Sequence, residues 1–232
     1  MFRPTRSCSA LPALLLTTLC SQADAEPPSP APSHHGAANT HMKMMGFDTL
    51  VARFEAPERA AWQKPEAVLA ALGDVKGKTV IDIGAGTGYF SFRAAAAGAR
   101  VIAADVDPQF QHYIEQRLAK EPPVAPGSIV TRQLAYDSPG LAKGEADRAL
   151  MVDVFHHIEG RDAYLRKLRE GLKPDGQLLV VDFKKVPTPD GPPVEMRLEP
   201  RQIEQELAAA GFRDITVDTA TLPYQYLISA RP

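Results

Sequence analysis

From Val80 onward the chain alternates short apolar runs with stretches whose apolar residues recur every three or four positions. The runs predict strands and the stretches predict helices. Val80, Ile81 and Ile83 suit a strand buried on both faces, and Ser91 to Ala97 reads as the helix after it. Arg100 to Ala104 is a second strand, followed by a helix from Pro108 to Lys120 with Phe110, Ile114 and Leu118 on one face. Strands are expected at Ser128 to Leu134, Asp147 to Asp153 and Gln177 to Asp182, with a helix from Arg161 to Leu172 and a turn at Lys173-Pro174-Asp175-Gly176. A helix from Pro200 to Ala210 precedes two last strands, Phe212 to Asp218 and Tyr224 to Ala230.

That makes seven strands in an α/β alternation, the pattern of a mostly parallel sheet with helices on both faces. The final connection is too short for a parallel crossover, so the last pair must be antiparallel. Ahead of this array, Phe47 to Leu72 carries two helical stretches divided near Pro57. Trp62 lies between them and either lines a pocket or caps the core.

The chemistry concentrates where the first strand breaks into Gly84-Ala85-Gly86-Thr87-Gly88. Glycines at a strand-to-helix turn let the chain take positive φ and let a ligand approach the main chain, and the helix start is expected to offer free N–H groups. A dinucleotide fingerprint needs Gly or Ala at position 89, which is Tyr89; a GxxxxGK[ST] phosphate loop is excluded because no lysine followed by Ser or Thr closes the turn. Asp105 closes the second strand about 20 residues after the first glycine, where a Rossmann-like sheet sets a carboxylate on ribose hydroxyls.

The string Val80-Ile81-Asp82-Ile83-Gly84-Ala85-Gly86-Thr87-Gly88, with Asp105, resembles motif I and its supporting acid in the class I S-adenosylmethionine-dependent methyltransferases. Met151 to Ile158 and Leu172 to Gly176 are similar to the landmarks of its small-molecule branch, of the ubiquinone/menaquinone-biosynthesis type. The resemblance runs from about Phe47 to the C-terminus and implies a Rossmann-like sheet of seven strands with an antiparallel last strand. It also implies S-adenosyl-L-methionine as cofactor, held by Asp82, Gly84, Ala85, Gly86, Gly88, Asp105, Val106 and Asp153. One departure stands out: where many members carry an acid for the adenine amino group, this chain has Leu134 or Ala135, with Asp137 further on. Backbone groups or Asp137 would then serve, and both readings stay open.

Methyl transfer needs a base only when the acceptor has a proton to lose. His156 and His157 follow the fourth strand at the sheet's carboxyl edge, and histidine suits proton transfer near neutrality. On residue type alone, capping and packing are the commoner roles for both. Asp182, Lys184, Lys185, Glu195, Arg197, Tyr224 and Tyr226 are within reach of an acceptor pocket, and the proline-rich Val186 to Pro193 is expected to form its rim.

Composition narrows the picture. The 232 residues are 44% hydrophobic and 23% charged, with a net charge of −2 and no long basic run, so a nucleic-acid substrate is disfavoured, while the small-molecule acceptor is what the resemblance implies. Arg3 and Arg6, the apolar run Ala10 to Cys20 and Ala23-Asp24-Ala25 read as a signal peptide over 1–25, too short for a stable membrane span. Export, to a bacterial periplasm, follows from it; an unprocessed leader would leave the chain cytoplasmic. Both cysteines, Cys8 and Cys20, lie in this leader. Residues 26–41 read as a disordered linker and 42–232 as the methyltransferase domain. His34, His35 and His41 there lack preorganised partners, so no metal site is expected. Two rival readings are a methyltransferase-fold binding protein without activity and a protein methyltransferase.

Overall fold

The computed structural model describes residues 1–2, 34–120 and 125–232. The leader and the start of the linker, at 3–33, lie outside the described residues. From His34 the order is α1 (His34–Met44), α2 (Phe47–Phe54), α3 (Arg59–Gln63), α4 (Pro65–Leu72), β1 (Thr79–Ile83), α5 (Tyr89–Ala96), β2 (Arg100–Asp105), α6 (Pro108–Lys120) and β3 (Ile129–Gln133). Then come β4 (Ala146–Val152), a 3-10 turn Phe155–His157, α7 (Arg161–Gly171), β5 (Leu172–Phe183), a 3-10 turn Val194–Met196, α8 (Pro200–Ala209), β6 (Arg213–Asp218) and β7 (Gln225–Arg231).

The strands form one sheet in the order β3-β2-β1-β4-β5-β7-β6. Pairs from β3 through β5 are parallel, and β7 runs antiparallel to both β5 and β6, as the short last connection requires. Alternation along each strand divides the core. Ile81, Ile102, Met151 and Val180 face Leu165, Leu168, Ile203 and Leu207 of α7 and α8. Val80, Val101, Leu150 and Leu179 face Val68, Leu72, Phe92 and Ile114 of α4, α5 and α6. With both faces covered, the inner strands read as nearly unbroken apolar runs. Strand order reverses between β1 and β4, so their carboxyl ends open a crevice.

Three local differences from the sequence expectations matter to that crevice. Residues from His34 on are helical, not a linker: Ala38 is buried and Asn39 bonds to His157, so tertiary contacts hold α1 where its own pattern is weak. The stretch 47–72 makes three helices rather than two, because Pro65 lacks an N–H and Lys64 before it turns left-handed at φ 44°, closing α3 and starting α4. The turn at Lys173–Gly176 is a bulge inside β5: Leu172 pairs with Ala146 and Gln177 with Arg148.

The loop after β5 is held from beneath. Arg197, buried at 3% exposure, donates to the carbonyls of Lys184, Val186, Asp190 and Pro192 and to the Thr188 hydroxyl, with its guanidinium over the Phe183 ring. Buried carbonyls need such donors, and one planar cation here serves a whole loop. Among the described residues no helix is long and apolar enough to cross a membrane.

Period-two alternation also places Asp82 beneath α5, where the Ser91 hydroxyl donates to Oδ2 at 2.6 Å. Burial, with the Asp105 charge adding, pushes this carboxyl from the ordinary 3.8 up to about 6. Between those values the folded chain keeps a proton the unfolded chain has lost, so stability falls as pH rises through the window. The two-unit gap corresponds to about 3 kcal/mol. Asp82→Asn keeps an acceptor for Ser91 and cannot ionise. Urea denaturation from about pH 4 to 6.5 is expected to show a flatter decline in the variant. An unchanged decline would remove Asp82 as its source.

Candidate functional site

At the end of β1 the chain turns through Gly84 at φ 70° and Gly86 at φ 54°. A Cβ on Gly84 would sit 2.3 Å from Val154 Cγ2, so both backbone angle and space demand glycine there. Four of the turn's N–H groups bond inside the protein. Those of Gly84 and Ala85 donate to the Ala104 carbonyl at 2.7 and 3.1 Å, that of Gly86 to Asp105 Oδ2 at 2.9 Å, and that of Gly88 to the Ala85 carbonyl at 2.9 Å. The glycine stretch itself thus turns these four N–H groups inward, and the expectation of N–H donors at the helix start concerns α5, which begins at Tyr89 with no side-chain cap. What the turn offers a ligand is carbonyl oxygen and a low profile.

A cavity of about 510 Å³ opens over these strand ends. The tips of β1 and β2 contribute Gly84, Ala85, Gly86, Asp105 and Val106; the tip of β4 and the 3-10 turn after it contribute Asp153, His156 and His157. The N-terminal helices add Asn39, Met42, Phe54, Arg59 and Trp62, and the loop after β5 adds Phe183, Pro192 and Met196. Asp82 and Gly88, expected among the cofactor contacts, do not line it; Asp82 braces β1 to α5, and Gly88 is the left-handed N-cap of α5.

Asp105 is buried at 7% exposure. Its Oδ2 accepts from Gly86 N–H and its Oδ1 from Asp107 N–H at 3.0 Å, which leaves lone pairs on both oxygens for a further donor. Burial raises its pKa against the pull of those bonds. The positions considered for the adenine contact separate in space. Leu134 is in the core, and Asp137 is exposed, 3.8 Å from Lys167, and does not line the cavity, whereas Tyr136 does.

Arg59 stands over the turn from α3, its guanidinium 4.1 Å from the Tyr89 ring centroid. Nη1 donates to the Phe54 carbonyl at 2.8 Å and Nε to Gln63 Oε1. Gln63 Nε2 donates in turn to Asp153 Oδ2 and to Gln225 Oε1, both at 3.2 Å, and Gln225 Nε2 donates to Asp153 Oδ1. Burial lowers the Arg59 pKa while Asp153 supports its charge. Asp153 itself is left-handed at φ 59°, a strain of roughly 1–2 kcal/mol that the amide cradle and its N–H bond to the Val181 carbonyl maintain. Burial, then the Asp182 charge, push its carboxyl up to about 6.

His156 is buried at 3% exposure with Nδ1 3.0 Å from both oxygens of Asp182. Asp182 Oδ1 also accepts from Phe183 N–H at 2.8 Å. Burial works against the imidazolium, but the charge and hydrogen bond of Asp182, with Asp153 behind, hold the His156 pKa above its ordinary value. The ring that turns Nδ1 to this carboxylate also lines the cavity.

The structure therefore unites Gly84, Ala85, Gly86, Asp105, Val106, Asp153, His156 and His157 in one cavity. Trp62 does line it, packed on Phe183 at 5.6 Å and Tyr224 at 5.9 Å, while Tyr226 is fully buried with its hydroxyl on the Leu198 carbonyl. Nothing local in the sequence marks Arg59, Gln63 or Asn39 as residues of the site. Asp182 is visible there as an acid at a strand end, but not as the partner of His156.

A methyltransferase domain family matches residues 81–178. A tRNA U34 carboxymethyltransferase of Cellvibrio japonicus (strain Ueda107) is 32% identical over 126 residues, 53% of this chain and 37% of the relative. A demethylmenaquinone methyltransferase of Clavibacter sepedonicus is 30% identical over 123 residues, 53% of this chain and 48% of the relative. The chain thus spans between about a third and a half of the length of these curated relatives. Among solved structures, a SAM-dependent methyltransferase from Aquifex aeolicus superposes with a TM-score of 0.73 at 23% identity, covering 80% of this chain and 98% of its own. Phosphoethanolamine N-methyltransferase 2 of Haemonchus contortus, in complex with S-adenosyl-L-methionine, gives 0.60 at 18% identity, covering 73% and 52%. Sheet order, glycine turn and the domain matched at residues 81–178 agree: the chain carries a methyltransferase domain on a fold similar to that of the class I S-adenosylmethionine-dependent methyltransferases.

Proposed function

We propose that the chain methylates a small molecule in this cavity, with the His156–Asp182 pair accepting the acceptor's proton. The carrying observation is the composition of the cavity wall: a glycine turn with Asp105 and Arg59, and the His156 imidazole backed by the buried Asp182 carboxylate, meet at the same space. The residues present fit the cofactor. The methionine carboxylate matches the Arg59 guanidinium, its ammonium matches the carbonyls of a turn whose N–H groups are already used, and the ribose hydroxyls match the remaining lone pairs of Asp105. When bound, S-adenosylmethionine supplies a sulfonium methyl group whose displacement leaves a neutral thioether.

The protein's share is positioning and proton management. Trp62 and Phe183 present flat apolar surface, which favours a planar, aromatic acceptor. Asp182 holds His156 Nδ1–H, so Nε2 takes the proton from an acceptor hydroxyl, thiol or amine as the methyl group arrives. A net charge of −2 without a long basic run supports a small molecule over a nucleic acid.

Arg59→Met removes the cation over the turn. Calorimetry with S-adenosylhomocysteine is expected to show affinity reduced about 10- to 100-fold, the worth of a charge-assisted hydrogen bond. Unchanged affinity would take Arg59 out of the cofactor's reach.

Transfer of labelled methyl groups to a panel of phenols, catechols, quinone precursors and thiols tests the base. His156→Ala is expected to lower turnover about 10²–10⁴-fold with S-adenosylhomocysteine affinity retained. In the native protein, turnover should rise with pH through an ionisation above the ordinary histidine value of 6.5, since only the neutral ring accepts a proton. A variant as active as the parent, or a flat pH profile, contradicts the assignment.

A further inference from the structure

α1 brings Asn39 onto the far side of the histidine pair. Its side chain spends both ends on one residue: Nδ2 donates to the His157 carbonyl at 3.0 Å, and Oδ1 lies 3.1 Å from His157 Nδ1. The first bond requires an amide nitrogen facing the carbonyl, so the atom facing the ring is the oxygen, which only accepts. Nδ1 of His157 therefore carries the hydrogen in this arrangement. The ring so held packs on His156, centroid to centroid 4.3 Å at 37°. Asn39 and both histidines line the cavity.

We propose that Asn39 is a positioning residue of the active site, fixing the His157 ring and through it the orientation of His156, so that α1 belongs to the acceptor site. The proposal rests on His156 being the proton acceptor. Two observations support it beyond packing. α1 lies outside residues 81–178, the span the methyltransferase domain family covers, so its contribution is additional to that domain. Asp182 holds His156 at Nδ1 while the His157 ring packs against it at 4.3 Å, so the two contacts together limit how the His156 ring can turn. A misplacement of about 1 Å at a reacting atom costs up to about a hundredfold in rate, so such a limit bears on turnover.

Among the described residues, the charged and titratable groups around His156 include Asp182 at the end of β5, Asp153 at the tip of β4, Arg197 behind the second 3-10 turn, and His157 itself. Removing the Asn39 hold changes the last of these and leaves the other three in place.

Asn39→Leu keeps the branched shape of the side chain and removes both hydrogen bonds; Asn39→Ala is the second variant should the larger leucine perturb folding. Imidazole nitrogen NMR on the ¹⁵N-histidine-labelled protein, with His156→Ala and His157→Ala for assignment, needs no acceptor. The expected result is loss of the single Nδ1–H tautomer of His157 together with a displaced titration of His156, while S-adenosylhomocysteine affinity stays within about threefold and the thermal midpoint within a few degrees. Turnover on the panel should then fall about 10- to 100-fold. Unchanged His156 signals and titration in both variants overturn the inference, as does turnover falling only in step with the folded fraction. Full turnover in His156→Ala would instead sink the base assignment, and the His157 tautomer would then decide the Asn39 hold separately.

Discussion

The hydrogen bond from Gly86 N–H to the Asp105 carboxylate ties the tip of β1 to the tip of β2. Neither partner is dispensable to the other. Asp105 is a buried carboxylate whose burial disfavours its charge, and backbone N–H donors are what sustain it. Gly86 sits at positive φ with its amide turned inward, which it keeps because a charged acceptor waits there. With Gly84 and Ala85 also donating to Ala104, the turn is drawn back against β2, and Gly84, Ala85 and Gly86 line the cavity. A pyrophosphate site would need the same N–H groups turned outward.

The other end of the cavity is built on opposed constraints. Asp153 holds a strained backbone and a disfavoured charge, and the two glutamines that cradle it come from α3 and β7, far apart in sequence. Because Gln63 also accepts from Arg59, the five-residue α3 is anchored at the floor while its cation stands over the glycine turn and its Trp62 forms the wall beside Phe183. One short helix thus touches both halves of the cavity. Its own propensity is negligible at that length, so its placement depends on these tertiary bonds.

The sheet was legible because buried parallel strands and amphipathic helices leave strong periodic signals, and because a short link between the last two strands leaves antiparallel pairing as the outcome. The glycine turn and Asp105 were legible because spacing carries them. Asn39 and Gln63 were not, since their roles arise from contacts across 118 and 90 positions that no local pattern encodes, and Arg59 takes its place through Gln63. The linker reading of His34 to His41 failed for the same reason: a helix with a weak apolar face is held by Asn39 on the 3-10 turn and by the burial of Ala38. Asp82 misled through motif position; the alternation that buries β1 aims it at Ser91 instead of the cavity.

A crystal structure grown with S-adenosylhomocysteine would show whether the inward-drawn turn serves the cofactor in this way. Expected are ribose hydroxyls on Asp105, the homocysteine carboxylate under Arg59, its ammonium on the carbonyls of the Gly84–Gly86 turn, and the sulfur facing the space between His156 and Trp62. Density for the ligand elsewhere, or a ribose that leaves Asp105 bonded only to Gly86 and Asp107, would contradict it.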